Sequence, residues 1–253
     1  MQLCVDIGNT MAVFAFFGED GEVKKIYHSK SFPERSYDEW KVSFKLFIQS
    51  ESLTRIKGAI VSSVVPSLTQ IVVPLIKELF GVEAKVIGPG IKTGMRINTD
   101  NPKEVGADLI ADAVGALSLF GPDCLIVDLG TANKIIHLDH LGQFDGCTIA
   151  PGLGLGLNAL VSNTAVLPEV SLQIPHKIIG KNTSDSMNSG LLYGTAYSLL
   201  GMAEAIEKEV GRPLKRILTG GYSHFIKELL PSFTYEPHLL VKGLLHILNK
   251  YGD

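Results

Sequence analysis

A chain of 253 residues that is 45% hydrophobic, holds 26 glycines and carries a formal net charge of −3 has enough apolar material for two domains of ordinary size. The faint acidic balance excludes the basic excess that a nucleic-acid binder needs, so a soluble α/β protein with no nucleic-acid partner is expected. No apolar run reaches transmembrane length, and the first residues form a strand-like run rather than a signal segment, so no membrane partner is expected and the cytoplasm is the expected location.

In chain order, Gln2 to Ile7 reads as a strand, and Val13 to Phe17, a turn at Glu19-Asp20-Gly21 and Val23 to Tyr27 complete a meander. Tyr37 to Ile48 has a helical pattern, Gly58 to Ser63 is a buried strand running into Val64-Val65-Pro66, Leu68 to Phe80 is a helix closed by Gly81, and Val82 to Ile87 returns as strand. At Asn101 a polar cap, Pro102 in the first turn and Glu104 three residues on predict a helix start. The second half repeats the order, with Cys124 to Leu129 and Lys134 to Leu138 as strands, a turn at His140 to Gly142, and Gln143 to Gly146 as the third strand. Ser184 to Val210 is a long helix stopped by Gly211 and Pro213, Arg216 to Thr219 is a strand ending in Gly220-Gly221, and Ser223 to Leu229 is a helix. The expected division is therefore 1–118 and 119–253, each half a mixed sheet flanked by helices. Cys4, Cys124 and Cys147 lie in apolar or strand-like settings at no metal-ligand spacing, and read as small buried hydrophobes in a reducing compartment.

The chemistry is carried by a repeat. Asp6-Ile7-Gly8-Asn9-Thr10 is echoed by Asp128-Leu129-Gly130-Thr131-Ala132, each directly after a short apolar strand. A strand that ends in a carboxylate followed by glycine lets the backbone turn tightly and come close to a ligand, which suits phosphate. Asn9, Thr10 and Thr131 add hydrogen-bond donors, while Asp6 and Asp128 suit a cation or cation-bound water better than the phosphate itself. Asp-x-Gly alone is ordinary turn chemistry; two copies in equivalent settings point to a duplicated unit.

Downstream of Asn101, Asp108 and Asp112 stand four residues apart on a helix otherwise filled by Val105, Leu109, Ile110, Ala113, Val114 and Leu117. Either a solvated helix face or a general base explains Asp108; the small neighbours Gly106 and Ala107 would let a substrate approach. Gly90-Ile91-Lys92-Thr93 lacks the glycine framework of a P-loop, and Gly152, Gly154 and Gly156 do not give a dinucleotide fingerprint, reading instead as tight packing or a ligand-facing loop. His137, Asp139 and His140 read as a surface turn rather than a metal site, and Asn182 as a polar cap to the following helix.

Asp6 to Thr10, Ser63-Val64-Val65-Pro66, Asn101 to Asp108, Asp128 to Ala132, Ile149-Ala150-Pro151-Gly152, Gly180-Lys181-Asn182-Thr183 and Thr219-Gly220-Gly221, in that order and spacing, resemble type III pantothenate kinase over essentially the whole chain. The resemblance implies an α/β actin-like ATPase fold of two ribonuclease-H-like domains with ATP between them. It also implies a homodimer that completes the pantothenate pocket. The implied activity is ATP-dependent phosphorylation of pantothenate to 4'-phosphopantothenate, the first step toward coenzyme A. Residues Asp6, Ile7, Gly8, Asn9, Thr10, Met11, Ala12 and Val13 would form the first phosphate loop, with Thr131, Gly220 and Gly221 also at the nucleotide. Asp108 would be the proton acceptor, Gly106, Ala107, Asp108 and Leu109 would line the substrate site with Thr183 from the partner subunit, and Asp128 would hold a monovalent cation, K+ or NH4+. Magnesium would travel with ATP.

The chain departs from that pattern at Leu109, where an arginine is usual, at Thr99, where a tyrosine is usual, at Asp112 in place of asparagine, and at Asn133-Lys134 in place of two threonines. Leucine offers no guanidinium fork, a loss of about 1.5–3 kcal/mol for a charged contact. A same-fold kinase shifted to another small alcohol, and a low-turnover nucleotide- or pantothenate-binding regulator, are the alternatives. Lys134 could bring its own positive charge to the second loop in place of the monovalent cation.

Overall fold

A computed structural model describes residues 1–31, 35–53, 55–88 and 92–250. The chain divides into two compact units, Met1–Leu119 with Leu239–Asp253, and Phe120–His238.

In the first unit β1 (Gln2–Ile7), β2 (Met11–Phe17) and β3 (Val23–Lys30) form an antiparallel meander. Helix α1 (Tyr37–Ser50) leads to β4 (Ala59–Ser63), and α2 (Pro66–Phe80) to β5 (Ala84–Val86). The sheet order is β3-β2-β1-β4-β5, with β4 parallel to both β1 and β5. Central β1 is covered on both faces. Leu3, Val5 and Ile7 pack with Trp40, Phe44, Leu68 and Leu75, while Cys4 joins Ala15, Phe17 and Ile60 on the other side. Local signals start and stop the helices. Ser36 and Glu39 close a reciprocal capping box on α1, and α2 has Pro66 in its first turn and ends at Gly81 with φ +69°. Helix α3 (Ala107–Phe120) follows the sheet.

The second unit repeats the plan with β6 (Cys124–Leu129), β7 (Ala132–Leu138), β8 (Phe144–Pro151), β9 (Lys215–Thr219) and β10 (Thr234–Tyr235), ordered β10-β9-β6-β7-β8. The meander is antiparallel, and β9 runs parallel to β6 and β10. The inserted helices are α4 (Leu153–Ser162), α5 (Thr183–Asn188) and α6 (Gly194–Val210), the last two joined by a π-helical stretch at Ser189–Tyr193. Leu125, Val127 and Leu129 pack with Leu192, Ala196, Leu199 and Ala203. Two mixed five-stranded sheets flanked by helices are the fold class expected from the sequence, and the long helix from Thr183 to Val210 is there apart from its π stretch.

Several local expectations are corrected. Pro102–Glu104 is a short 3-10 turn, because Val105 is extended at φ −70°, ψ 120°, and the α-helix begins only at Ala107. Asn101 makes no backbone cap; its amide donates to Glu104 at 2.6 Å. Ser223 to Leu229 forms two 3-10 turns. Gly154 and Gly156 lie inside α4, where the ring of Tyr222 and the Leu191 side chain press on them, so the packing half of that reading holds. Cys147 is exposed on the edge strand β8, unlike buried Cys4 and Cys124. Burial raises the Cys124 thiol to about 11, so it stays protonated. Of Gly90-Ile91-Lys92-Thr93, the first two residues lie outside the described ones.

A last helix, α7 (Leu239–Lys250), returns to the first unit, whereas the sequence division assigned 239–253 to the second half. The reason is apolar complementarity. Val241, Leu244, Leu245, Ile247 and Leu248 join Cys4, Phe17, Ile60, Ala111 and Val114 in one cluster. Where α7 crosses α3 the backbones touch, since a Cβ on Gly243 would overlap the Ala111 carbonyl and lie 2.8 Å from the Gly115 nitrogen. Gly243→Ala is therefore expected to lower stability by about 1–3 kcal/mol in chemical denaturation, the range for overpacking a closed contact.

In the second unit Glu207 of α6 receives a two-pronged bond from Arg216 of β9 at 2.9 and 2.6 Å, which holds its carboxyl below the ordinary value of 4.5. A depressed acid contributes stability above its unfolded pKa and loses it as pH falls through the folded one. Glu207→Gln should cost about 1 kcal/mol at neutral pH, and the gap to wild type should close in melts run well below pH 4.5.

Candidate active site

The first Asp-Gly loop is the hairpin between β1 and β2. Ile7 pairs with Ala12 and Asp6 with Val13 across it, and Asp6 pairs with Ser62 of parallel β4 on its other side. By alternation Asp6 lies on the face opposite Leu3, Val5 and Ile7. The turn is closed by Gly8 N–H donating to the Met11 carbonyl at 3.0 Å. Ser31, just past β3, braces the loop: its hydroxyl donates to the Gly8 carbonyl at 2.6 Å and its N–H to the Thr10 carbonyl at 2.9 Å. Asn9, Thr10 and Met11 are exposed, Ala12 is buried and Val13 half-buried. The loop thus presents backbone and small polar groups on a rigid base, the arrangement that suits an anion.

Asp108 sits in the first turn of α3, half-buried, with one carboxylate oxygen folded back over Gly106 so closely that a Cβ there would collide at 2.5 Å. Gly106 and Ala107 are half-buried beside it, whereas Leu109 is only 7% exposed and offers little surface to a ligand. Asp112, one turn on, is fully buried. Thr99 is half-buried, and its hydroxyl is without a hydrogen-bond partner among the described residues.

The second loop joins β6 to β7, with Asp128 opposite Lys134 and next to Thr219 of β9. Gly130 N–H donates to the Ala132 carbonyl at 3.2 Å, and Gly152 N–H to the Thr131 carbonyl at 3.1 Å. A Cβ on Gly152 would overlap the carbonyl of Thr131 and lie 2.6 Å from that of Gly130, so only glycine lets the start of α4 lie under the loop. Gly220 has φ +94°, and a Cβ there would overlap both an Asp128 carboxylate oxygen and the Leu129 nitrogen. Tyr222 N–H donates to the Leu129 carbonyl at 2.9 Å. Asp128, Gly130, Thr131 and Gly220 therefore lie together at one end of the second sheet.

The Asp128 carboxylate accepts a hydrogen bond from the Lys134 ammonium at 2.6 Å. Thr183 is exposed in the first turn of α5, whose cap is Asn182: its side chain accepts the Asp185 N–H at 2.8 Å. The Asp139 carboxylate accepts the N–H groups of Leu141 and Gln143 at 2.9 and 2.7 Å, which is turn chemistry, and His137 pairs with Asp145 at 3.2 Å. Among the described residues no cluster of three or more His, Cys, Asp and Glu is placed to hold a metal, and no helix is long and apolar enough to cross a membrane.

Sequence comparison decides the family. The sequence model of type III pantothenate kinase matches residues 2–205. The chain belongs to that family. A type III pantothenate kinase of Acholeplasma laidlawii is 39% identical over 252 residues, covering 99% of both chains. Among solved structures, the (R)-2-hydroxyglutaryl-CoA dehydratase component A of Acidaminococcus fermentans aligns with a TM-score of 0.58 at 12% identity, covering 100% of this chain and 99% of that one. The activator of 2-hydroxyisocaproyl-CoA dehydratase from Clostridium difficile, solved with ADPNP, aligns at 0.52 and 14% identity over 98% and 92%. At such identities these two speak for the fold alone.

Sequence reasoning did not find Ser31 or Tyr222 as braces of the loops. Ser31 lies beyond the Tyr27 end predicted for the third strand, and nothing local marks a serine that reaches 23 residues back. Gly152 did leave a signal, as part of the Ile149-Ala150-Pro151-Gly152 match. A paired substitution checks the geometry. Gly220→Ala should destabilise by about 1–2 kcal/mol from its left-handed backbone alone. Gly221→Ala, with no atom within 4 Å of its would-be Cβ, should stay within about 0.5 kcal/mol of wild type in the same melts.

Proposed function

We propose that the protein transfers the γ-phosphoryl group of ATP to the primary hydroxyl of pantothenate, forming 4'-phosphopantothenate. Family membership over residues 2–205 carries this reading, and the relative at 39% identity carries the same name. The residues present suit a magnesium nucleotide: a half-buried carboxylate ends β1 beside a hairpin of exposed Asn9 and Thr10, and glycine is demanded at position 220 of the second loop. Bound magnesium and ATP would supply the phosphoryl donor and screen its charge. Asp6 would face cation-bound water, while the Gly8 to Val13 segment, Thr131, Gly220 and Gly221 would orient the phosphates.

Asp108 takes the proton of the attacking hydroxyl in this reading. It is half-buried in the first turn of α3 and flanked by Gly106 and Ala107, which leave room for an alcohol. Thr183, exposed in the first turn of α5, would reach the pocket of a partner subunit in a homodimer. The monovalent cation that the resemblance places at Asp128 does not fit these residues in the same way, because that carboxylate is held by Lys134.

Incubation with ATP and magnesium, scored for phosphopantothenate by mass, tests the assignment. Asp108→Asn should lower kcat by about 10²–10⁴-fold while ADP affinity, measured by calorimetry, stays within about twofold of wild type. Turnover of another alcohol with none of pantothenate would move the assignment to a different substrate, in line with the missing guanidinium at Leu109. Nucleotide binding without turnover of any alcohol would make the protein a regulator.

A further inference from the structure

Asp6 and Asp128 hold the same place in two copies of one hairpin, but the residues across from them differ. Val13 stands opposite Asp6 and Lys134 opposite Asp128. A lysine at this position is therefore not something the sheet requires. The Lys134 side chain is 16% exposed and that of Asp128 9%, and the ammonium meets the carboxylate at 2.6 Å. Gly220 packs against the same carboxylate so closely that it cannot carry a Cβ, which fixes where the charge sits.

Resting on the reading that the second loop serves the nucleotide, we propose that Lys134 is a tethered cation, supplying at Asp128 the positive charge that a free potassium or ammonium ion would otherwise bring, so that nucleotide binding needs no monovalent salt. The ε-ammonium has the charge of a potassium ion, and its three N–H donors can engage a carboxylate and a phosphate oxygen together. Tethering raises its local concentration without the loss of freedom that a dissolved ion suffers on binding. A dissolved ion would have to displace this ammonium from a carboxylate largely removed from water. Of the two replacements at the start of β7, Asn133 pairs with Leu129 and Lys134 with Asp128, so Lys134 is the one that faces the aspartate.

Calorimetric titration with magnesium and ADP, in choline chloride and in potassium chloride of equal ionic strength, tests the proposal. Wild type should give the same affinity in both salts within about twofold. Lys134→Thr should bind about tenfold more weakly in choline and recover in potassium or ammonium chloride but not in sodium chloride. Two results would overturn the proposal: a wild type that tightens about tenfold on adding potassium, or a folded Lys134→Thr that gains no potassium response. A purely structural ion pair would give the second of these. The wild-type titration needs no variant, and a melt of Lys134→Thr establishes that it folds. Because ADP affinity is read directly, absence of phosphopantothenate counts against the substrate assignment, whereas the salt response judges Lys134.

Discussion

The central strand of each sheet is covered on both faces, and this governs where charge can be placed. Along β1 and β6 every position up to the strand end is apolar apart from Gln2 at the rim, and the carboxylate appears only at the fifth of six residues. There the sheet ends, a glycine turns the chain and ligand chemistry becomes possible. Asp6 stays half-buried, while Asp128, 7% exposed, requires a charge beside it that an apolar neighbour could not supply. The tight hairpins, the Gly152 and Gly220 contacts and the Ser31 brace all follow from bringing backbone close to that strand end.

The duplicated plan was legible because its signals are local and repeated. Apolar strands of similar length, each closed by Asp-x-Gly and each opening a meander, could be aligned within one sequence, and helix stops such as Gly81 and Gly211 have the left-handed backbones that make glycine informative. The family motifs likewise mark Asp108, Gly220 and Gly221, the residues on which the proposed reaction rests. What escaped was set by distant partners. Val105 is a common residue in an extended conformation, so nothing local reveals that it interrupts the helix start expected at Asn101. Gly152, Gly154 and Gly156 read as tight packing or a ligand-facing loop, since three glycines in five residues disfavour a helix, yet α4 forms where Tyr222 and Leu191 use the space that missing side chains leave. Cys147 sits in a strand-like run, but whether such a run is central or at an edge depends on pairing order rather than composition.

The two loops illustrate how a duplicated unit diverges. Strand pairing, turn and carboxylate are retained, while the cross-strand neighbour is apolar in one copy and cationic in the other. Such a change leaves the fold untouched and alters only the local balance of charge, which is how sites on a shared scaffold come to differ.

Helix α7 ends the described chain but completes the cluster begun by Cys4, Ala15 and Phe17. On a ribosome, the residues of Phe120–His238 emerge before the helix that covers this face of the first sheet. The nascent first unit must therefore wait with apolar strand faces exposed, a long-range closure that is slow and aggregation-prone by nature. Loss of α7 would thus damage a unit whose sheet is synthesised well before that helix.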